Sequence, residues 1–515
     1  MMKKLFCIIL MFSLLFSGCS KDEKQEVKET AVVESDDWKY GGSIQLACVP
    51  VDTLNPLITK HASVSDFLSL IYEGLFECNA DHTTVPVLAS SCSASKNNTV
   101  YTVKLKSGIK FHDGSTLTSD DVVATLDYIF LYEGNYKSLK NNILLYHATS
   151  EDTVSITLKK PIADFANCLD FPILPAKLTG DDFLEENSNF RPVGTGMYRY
   201  DRAEDYKSIY LKQNSSWHNE KKPYISEVNV QILSDADTII AAFDAGIIDV
   251  VTTSWTTPSD INLTSSIYNT FKTEQNRFTY VGINCACADF DTVEERRYLS
   301  SAVDGAQIAD DIMLDNAVVA KAPLRDSVYF NIEDDSPKSS EKISKPKSDE
   351  DDSEVILLYN SDSKTKERLA HTLKYQLENK GYSVSLDAKP FDEYVLKVLK
   401  CEYDLYVGEI NIDNSGNLDF MFGESRSAQN ICAYRSEELY NFISNLNSAT
   451  SKDSRAVVWN NFKKYYSETV FQIPLYFSDG CTYVNNQVSG ELSPNLSKSF
   501  SGFENLYVNT SKNVK

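Results

Sequence analysis

Apolar and polar residues alternate from Tyr101 to Lys106, with Tyr101, Val103 and Leu105 on one side and Thr102, Lys104 and Lys106 on the other. This predicts a half-buried strand that stops at the Ser107-Gly108 turn. Ile109 and Phe111 start a second short strand, and Asp113-Gly114 supplies the next turn, since glycine adopts positive φ without steric cost. Thr118 then stands where a helix N-cap belongs, with its hydroxyl placed to accept the Asp121 amide. Asp120 and Asp121 complement the positive end of the helix dipole, and Val122, Leu126, Ile129 and Phe130 recur at helical spacing. The same reading gives strands at 41–51, 152–160 and 228–233, a helix-like run through Phe165 and Leu169, and strands at 470–476 and 480–488. Val355–Tyr359, a helix over 365–380 and a strand over 382–386 form a βαβ unit, which favours a mixed or parallel sheet. Periodicity therefore supports a mixed α/β chain of several domains.

The N-terminus changes the picture. Lys3 and Lys4 precede an apolar run from Leu5 to Phe16, too short to span a bilayer and fitting the core of a secretory signal. It ends in Ser17-Gly18-Cys19, which resembles a bacterial lipoprotein signal. That resemblance implies a signal peptide over 1–18, cleavage before Cys19 and a lipid on its thiol. Residues 19–39 are polar and acid-rich and read as a disordered tether. The formal charge of the chain is -23, and loss of Lys3 and Lys4 makes it -25, which argues against nucleic acid or anionic lipid as a ligand of the body. Of 11 cysteines, setting aside Cys7 in the signal and Cys19 leaves an odd number, so at least one thiol is unpaired. Cys285 and Cys287 are expected as small buried residues on one face of a strand.

Catalytic patterns fare poorly. Ser93-Ala94-Ser95-Lys96 and Ser363-Lys364-Thr365-Lys366 have the spacing of a serine nucleophile and lysine base, but no Lys-Thr-Gly strand accompanies them. Gly194-Thr195-Gly196 lacks the lysine and serine of a phosphate loop. His61, His82, His112, His147, His218 and His371 show no pair at the spacing of a helical zinc site. The expectation is a protein that is no enzyme and needs no cofactor or metal.

The 101–126 stretch, with its Gly108-Ile109-Lys110-Phe111-His112-Asp113-Gly114 turn and Leu117-Thr118-Ser119-Asp120-Asp121-Val122 helix start, resembles the signature region of the family 5 extracellular solute-binding proteins, the dipeptide, oligopeptide and nickel receptors of ABC importers. The similarity continues through Leu54-Asn55-Pro56, Tyr72-Glu73-Gly74-Leu75, Val85-Pro86-Val87-Leu88-Ala89, Arg191 to Tyr198, Asp237 to Asp249, Phe278 to Cys285 and Glu295 to Asp304. It implies a two-lobed α/β fold of the periplasmic-binding-protein type (type II, cluster C) with a ligand cleft between lobes. Lobe one is expected over 40–285 plus 471–515, with a subdomain at about 81–190. Lobe two is expected over 286–470, interrupted by a polar loop at 331–354.

The implied function is a lipid-anchored, extracytoplasmic, monomeric protein that captures peptides and delivers them to an ABC permease, on a Gram-positive surface or in a Gram-negative periplasm. An oligosaccharide or nickel chelate is the alternative solute, and a surface hydrolase a remote one. By the same resemblance Lys60, His61 and Ala62 pair with the ligand through their main chain, as do Glu409, Ile410 and Asn411. Relatives place a ligand-amine acid where Ile412 stands, so Asp413, one residue on, becomes the candidate, beside Glu409 and Asp419.

Overall fold

The computed structural model describes residues 39–132, 134–178, 191–253, 261, 263–264, 268–330, 354–423 and 434–508. Cys19, the expected signal, the tether up to residue 38 and the polar loop from 331 to 353 lie outside these residues. The alternating strand spans Val100–Leu105, inside an antiparallel sheet ordered 89–94, 100–105, 153–158, 143–150. Tyr101, Val103 and Leu105 are buried, as the alternation requires. The second short strand shrinks to one bridge, Lys110 with Thr116, because the Asp113-Gly114 turn closes the hairpin at once. The helix Ser119–Leu131 follows. Its start is the expected capping box, with the Thr118 side chain facing the Asp121 N–H, and the Asp121 carboxylate accepts the Thr118 N–H (2.8 Å) and hydroxyl (3.1 Å). The other oxygen of Asp121 accepts the Ala176 N–H at 2.8 Å, fastening the following loop to the helix start.

A second four-stranded sheet in lobe one pairs Ser43–Cys48 in parallel with Glu227–Ile232, then continues antiparallel through 208–213 and 198–204. Both sheets feed one core, in which Ile44, Leu46, Val103, Val154, Leu211 and Val228 are all buried. Lobe two is built on a mixed sheet ordered 250–252, 472–485, 268–283, 405–411, 354–360, 383–389, with 317–319 added on 472–485. The strands 354–360 and 383–389 are parallel and joined by the helix Lys364–Asn379, the expected βαβ unit. Trp459 lies in this lobe's core, stacked between Phe330 and Phe462 at 5.2 and 5.1 Å.

Two long strands, Tyr268–Ile283 and Gln472–Asn485, connect the lobes. The second absorbs both strands expected at 470–476 and 480–488. Tyr268–Thr273 pairs with Gly480–Asn485, and Arg277–Gly282 with Gln472–Ser478, across an irregularity at residues 274–276. Phe278, Tyr280, Val281, Ile283, Phe471 and Ile473 pack in the cores of lobe two, whereas Val484 packs in that of lobe one. The passage between lobes therefore falls inside the paired strands, displaced from the expected points near Cys285 and Phe471. A bulge twists and bends a strand while leaving its partner continuous, which suits a connection between two bodies. Cys285 and Cys287 are not on a strand face: the strand ends at Ile283, and Asn284 opens a turn by accepting the Ala286 N–H at 3.2 Å. The eight described cysteines are free thiols.

Candidate functional site

The helix Ala62–Leu68 ends in tight turns that lead into Tyr72-Glu73-Gly74-Leu75, where a carboxylate enters the lobe-one core. A buried charge needs partners. Glu73 accepts from the Thr195 hydroxyl at 2.8 Å, the Trp217 indole N–H at 2.9 Å and His218 Nε2 at 2.9 Å. Burial alone would raise its carboxyl, but His218, Lys498 and Trp217 hold it below the ordinary value. The segment carrying Thr195 reaches Glu73 only because Gly194 and Gly196 lie against the Ile71 main chain, where a Cβ would collide with its carbonyl. One carboxylate thus ties three separated motifs together.

Beyond Glu73 lies a second layer of charge. The Lys498 ammonium pairs with Glu77 at 2.7 Å, and Asn495 donates to the other Glu77 oxygen at 2.9 Å. Burial lowers the Lys498 pKa, but Glu77 and Glu73 more than offset it, so it stays above the usual lysine value. Asp170 faces this layer with no ion pair among the described residues. It accepts from Asn414 Nδ2 of lobe two at 3.2 Å and from the Ser497 hydroxyl. Burial pushes its carboxyl up to about 6, and the nearby Glu77 adds to the rise.

Glu73, Asp170, Ser497 and Lys498 border a cavity of about 390 Å³, large enough for a small solute. Thr59, Lys60, Ala62, Asp66 and Ser69 form one border, Tyr72, Glu73, Tyr136 and Asp170 another, and Ser497 to Ser499 a third. Of the residues expected from sequence, Lys60 and Ala62 lie here and His61 is exposed beside them. The Lys60 and His61 amides are engaged by Asp52 at 2.7 Å and Thr59 at 3.4 Å, so neither N–H is open to a ligand in this conformation.

Glu409, Ile410 and Asn411 lie at the end of the strand Leu405–Asn411, paired on one edge with Thr279, Phe278 and Arg277. On the other edge, 354–360 pairs only with Leu405 and Tyr406, so among the described strands the 409–411 backbone has an open edge. The three candidate acids are occupied. Glu409 pairs with Lys366 at 2.5 Å, and Asp419 with Lys160 at 3.2 Å. Asp413 caps its own loop, accepting the Ser415 N–H at 3.0 Å and hydroxyl at 2.5 Å, and does not border the cavity.

Contacts between the lobes run on from Asn414, whose amide reaches Asp170. His82 Nε2 bonds the Asn414 carbonyl, and its ring packs 4.4 Å from that of Tyr329. Burial holds the His82 imidazole down to a pKa of about 4, so it is neutral and Nε2 carries the donated proton. Arg455 reaches from lobe two to Asp164 at 2.6 Å and to the Ser415 carbonyl at 2.6 Å, and Asn98 Nδ2 donates to the Ala449 carbonyl at 3.0 Å.

Residues 83–430 match the family described as bacterial extracellular solute-binding proteins, family 5 Middle. The chain belongs to this family. Among curated family 5 relatives, it is 26% identical over 331 residues to the oligopeptide-binding protein AppA of Bacillus subtilis, covering 61% of this chain and 59% of AppA. It is 25% identical over 313 residues to the glutathione-binding protein GsiB of Pectobacterium atrosepticum, covering 59% of each. The alignments therefore span about three-fifths of those relatives' lengths. Among solved structures, the ABC transporter substrate-binding protein CtaP of Listeria monocytogenes superposes with a TM-score of 0.75 at 21% identity, over 92% of this chain and 100% of that one. This likeness establishes the two-lobed fold.

Asp170, Glu77 and the 497–499 segment were missed from sequence. One signal was present: Asp170 is a lone acid inside the apolar run Leu169 to Leu174, and a charge in such a run is rarely buried without a role.

Proposed function

We propose that the protein captures a peptide or peptide-like solute between its lobes and hands it to an ABC permease, held at the membrane by lipid on Cys19. The observation that carries the reading is the cavity of about 390 Å³ bordered by lobe-one residues, one of which, Asp170, is bonded by Asn414 of lobe two, together with a lobe-two strand whose edge is open at 409–411. An extended peptide could satisfy its amides on that edge, a mode that reads main chain more than side chains. The names of AppA and GsiB, which bind an oligopeptide and glutathione, support the same solute class. Among the described residues no helix is long and apolar enough to cross a membrane.

Thermal unfolding against separate pools of peptides, oligosaccharides and nickel chelates tests the reading. A true ligand at about 100 times its dissociation constant adds about 2.7 kcal/mol of stability. Stabilisation by the peptide pool is expected, and stabilisation by sugars or chelates alone would replace it. Labelled fatty acid should be incorporated by the parent and not by Cys19→Ala; label kept by the variant would remove the anchor.

A further inference from the structure

We propose that Arg325 and the 314–316 turn of lobe two form a clamp on the hinge, which holds the lobes in the touching arrangement and so sets how readily the protein closes on a solute. The clamp is read from the hinge itself, and only its effect on affinity rests on the solute-capture reading above.

The two connecting strands change register where three residues, Glu274, Gln275 and Asn276, stand opposite Asp479. Tyr268–Thr273 and Gly480–Asn485 lie on the lobe-one side of this step, and Arg277–Gly282 and Gln472–Ser478 on the lobe-two side. Rotation of one lobe against the other is taken up by the torsions of the step, so contacts that reach across it change with lobe angle. Contacts inside either lobe do not, and only contacts that differ between touching and parted lobes can bias the equilibrium between them.

Two arms of lobe two reach across. Arg325 is buried, and its neighbours Leu324, Tyr329 and Phe330 pack in the lobe-two core. Its guanidinium meets Asp479 of one strand at 2.7 Å and Glu274 of the other at 3.2 Å, so one cation holds both sides of the step. Ser327 donates to the same Glu274 carboxylate at 3.0 Å. A guanidinium presents its donors in a rigid fork, which fixes the relative position of two carboxylates more closely than an ammonium does.

The second arm is the turn that ends the helix Gly305–Met313. The Asp315 carbonyl accepts from Lys272 at 2.7 Å, the Asn316 carbonyl accepts the Asp479 N–H at 2.8 Å, and Asn316 Oδ1 accepts from the Cys481 thiol at 3.5 Å. Lys272 and Cys481 lie on the lobe-one side, whereas Ala317–Val319, directly after the turn, pairs with Tyr476, Phe477 and Ser478 on the other. Leu314 and Asp315 hold φ at 49° and 64°, a left-handed backbone that side chains resist and that persists where its surroundings fix it. None of the clamp residues borders the cavity, so a change in them acts on lobe angle without touching a solute held there.

The test uses the full mature chain with a donor and an acceptor dye attached through azide-bearing residues at Tyr206 of lobe one and Tyr375 of lobe two, both exposed. Parent, Arg325→Gln and Lys272→Met are compared by energy transfer without solute and with a saturating peptide pool. Without solute, both variants should lower the ratio of touching to parted lobes at least about fivefold. The pool should bind correspondingly more weakly, since affinity scales with the fraction of molecules in the competent arrangement. Where the parent's lobes are already parted without solute, the fivefold loss appears in affinity alone. Lys272 is exposed, so Lys272→Met decides the matter if Arg325→Gln fails to fold. Folded variants that keep the parent's lobe distances and affinity overturn the clamp while leaving solute capture intact. Lobe distances that shift in the variants, in a protein whose lobes no pool draws together, uphold the clamp and overturn the capture reading.

Discussion

On the lobe-one side of the cleft Asp170 borders the cavity, accepts from the Asn414 amide and the Ser497 hydroxyl and lies near Lys498, whereas on the lobe-two side Glu409, Asp413 and Asp419 are taken by Lys366, Ser415 and Lys160 away from the cavity. All four are acids near the meeting of the lobes, and three sit within eleven residues of sequence where a ligand acid is expected. Position along the chain points to lobe two. Which carboxylate borders the cavity points to lobe one. The difference is that a carboxylate's use is set by the donors folded around it, and those donors come from distant segments.

The largest expected effect probes how firmly lobe one fixes its charge. Glu73→Ala leaves Trp217, Thr195 and His218 facing an empty buried site, and removing one member of a buried charged network typically costs about 3–5 kcal/mol. Denaturant unfolding at neutral pH should show a loss of that size. A loss below about 1 kcal/mol would mean the three motifs are not tied through this carboxylate.

Next comes the pH response of the contact between lobes. His82 has a folded pKa of about 4 against an ordinary 6.5, with Asp164, Arg455 and Lys452 as its charged surroundings. Between these values the unfolded chain takes up a proton that the folded chain refuses. The contribution of His82 is thus complete above pH 6.5 and is lost as pH falls toward 4, by roughly 3 kcal/mol in all. Asp170 acts in the opposite direction, since its raised carboxyl adds stability as pH falls through about 6. His82→Gln should therefore lose less stability than the parent between pH 7.5 and 4. Parallel profiles would show that His82 is not held neutral between the lobes.

The smallest effects compare two ion pairs joining the lobes. Arg455 is buried at 3% exposure and also bonds the Ser415 carbonyl, so Arg455→Ala should cost about 2 kcal/mol. Lys160 is 61% exposed in its pair with Asp419, and Lys160→Ala should cost less than about 1 kcal/mol. Equal costs in unfolding measurements would erase the distinction.

Much of the architecture was legible because its signals are local. The 101–105 alternation, the Thr118 helix start and the 354–389 βαβ unit each rest on neighbours in sequence, and only boundaries moved. The passage between lobes was displaced because two continuous paired strands carry it, and pairing between 268–283 and 472–485 leaves no mark in either segment alone. Cys285 and Cys287 went to a turn because Asn284 spends its side chain on the Ala286 N–H and the distant Tyr403 carbonyl. The site was least legible. Asp413 shows nothing in sequence of its bonds to Ser415, and Asp170 nothing of Ser497, which lies more than three hundred residues away.

The claim that the solute occupies the cavity bordered by lobe one is tested most directly by calorimetric titration of one peptide, taken from the stabilising pool, into parent, Asp170→Asn and Asp413→Asn. Both variants remove a charge and keep an oxygen that can accept, so the Ser415 cap survives in Asp413→Asn. The account predicts affinity within about threefold of the parent for Asp413→Asn and at least about 30-fold weaker for Asp170→Asn. The reverse order would contradict it and return the ligand to the lobe-two acids.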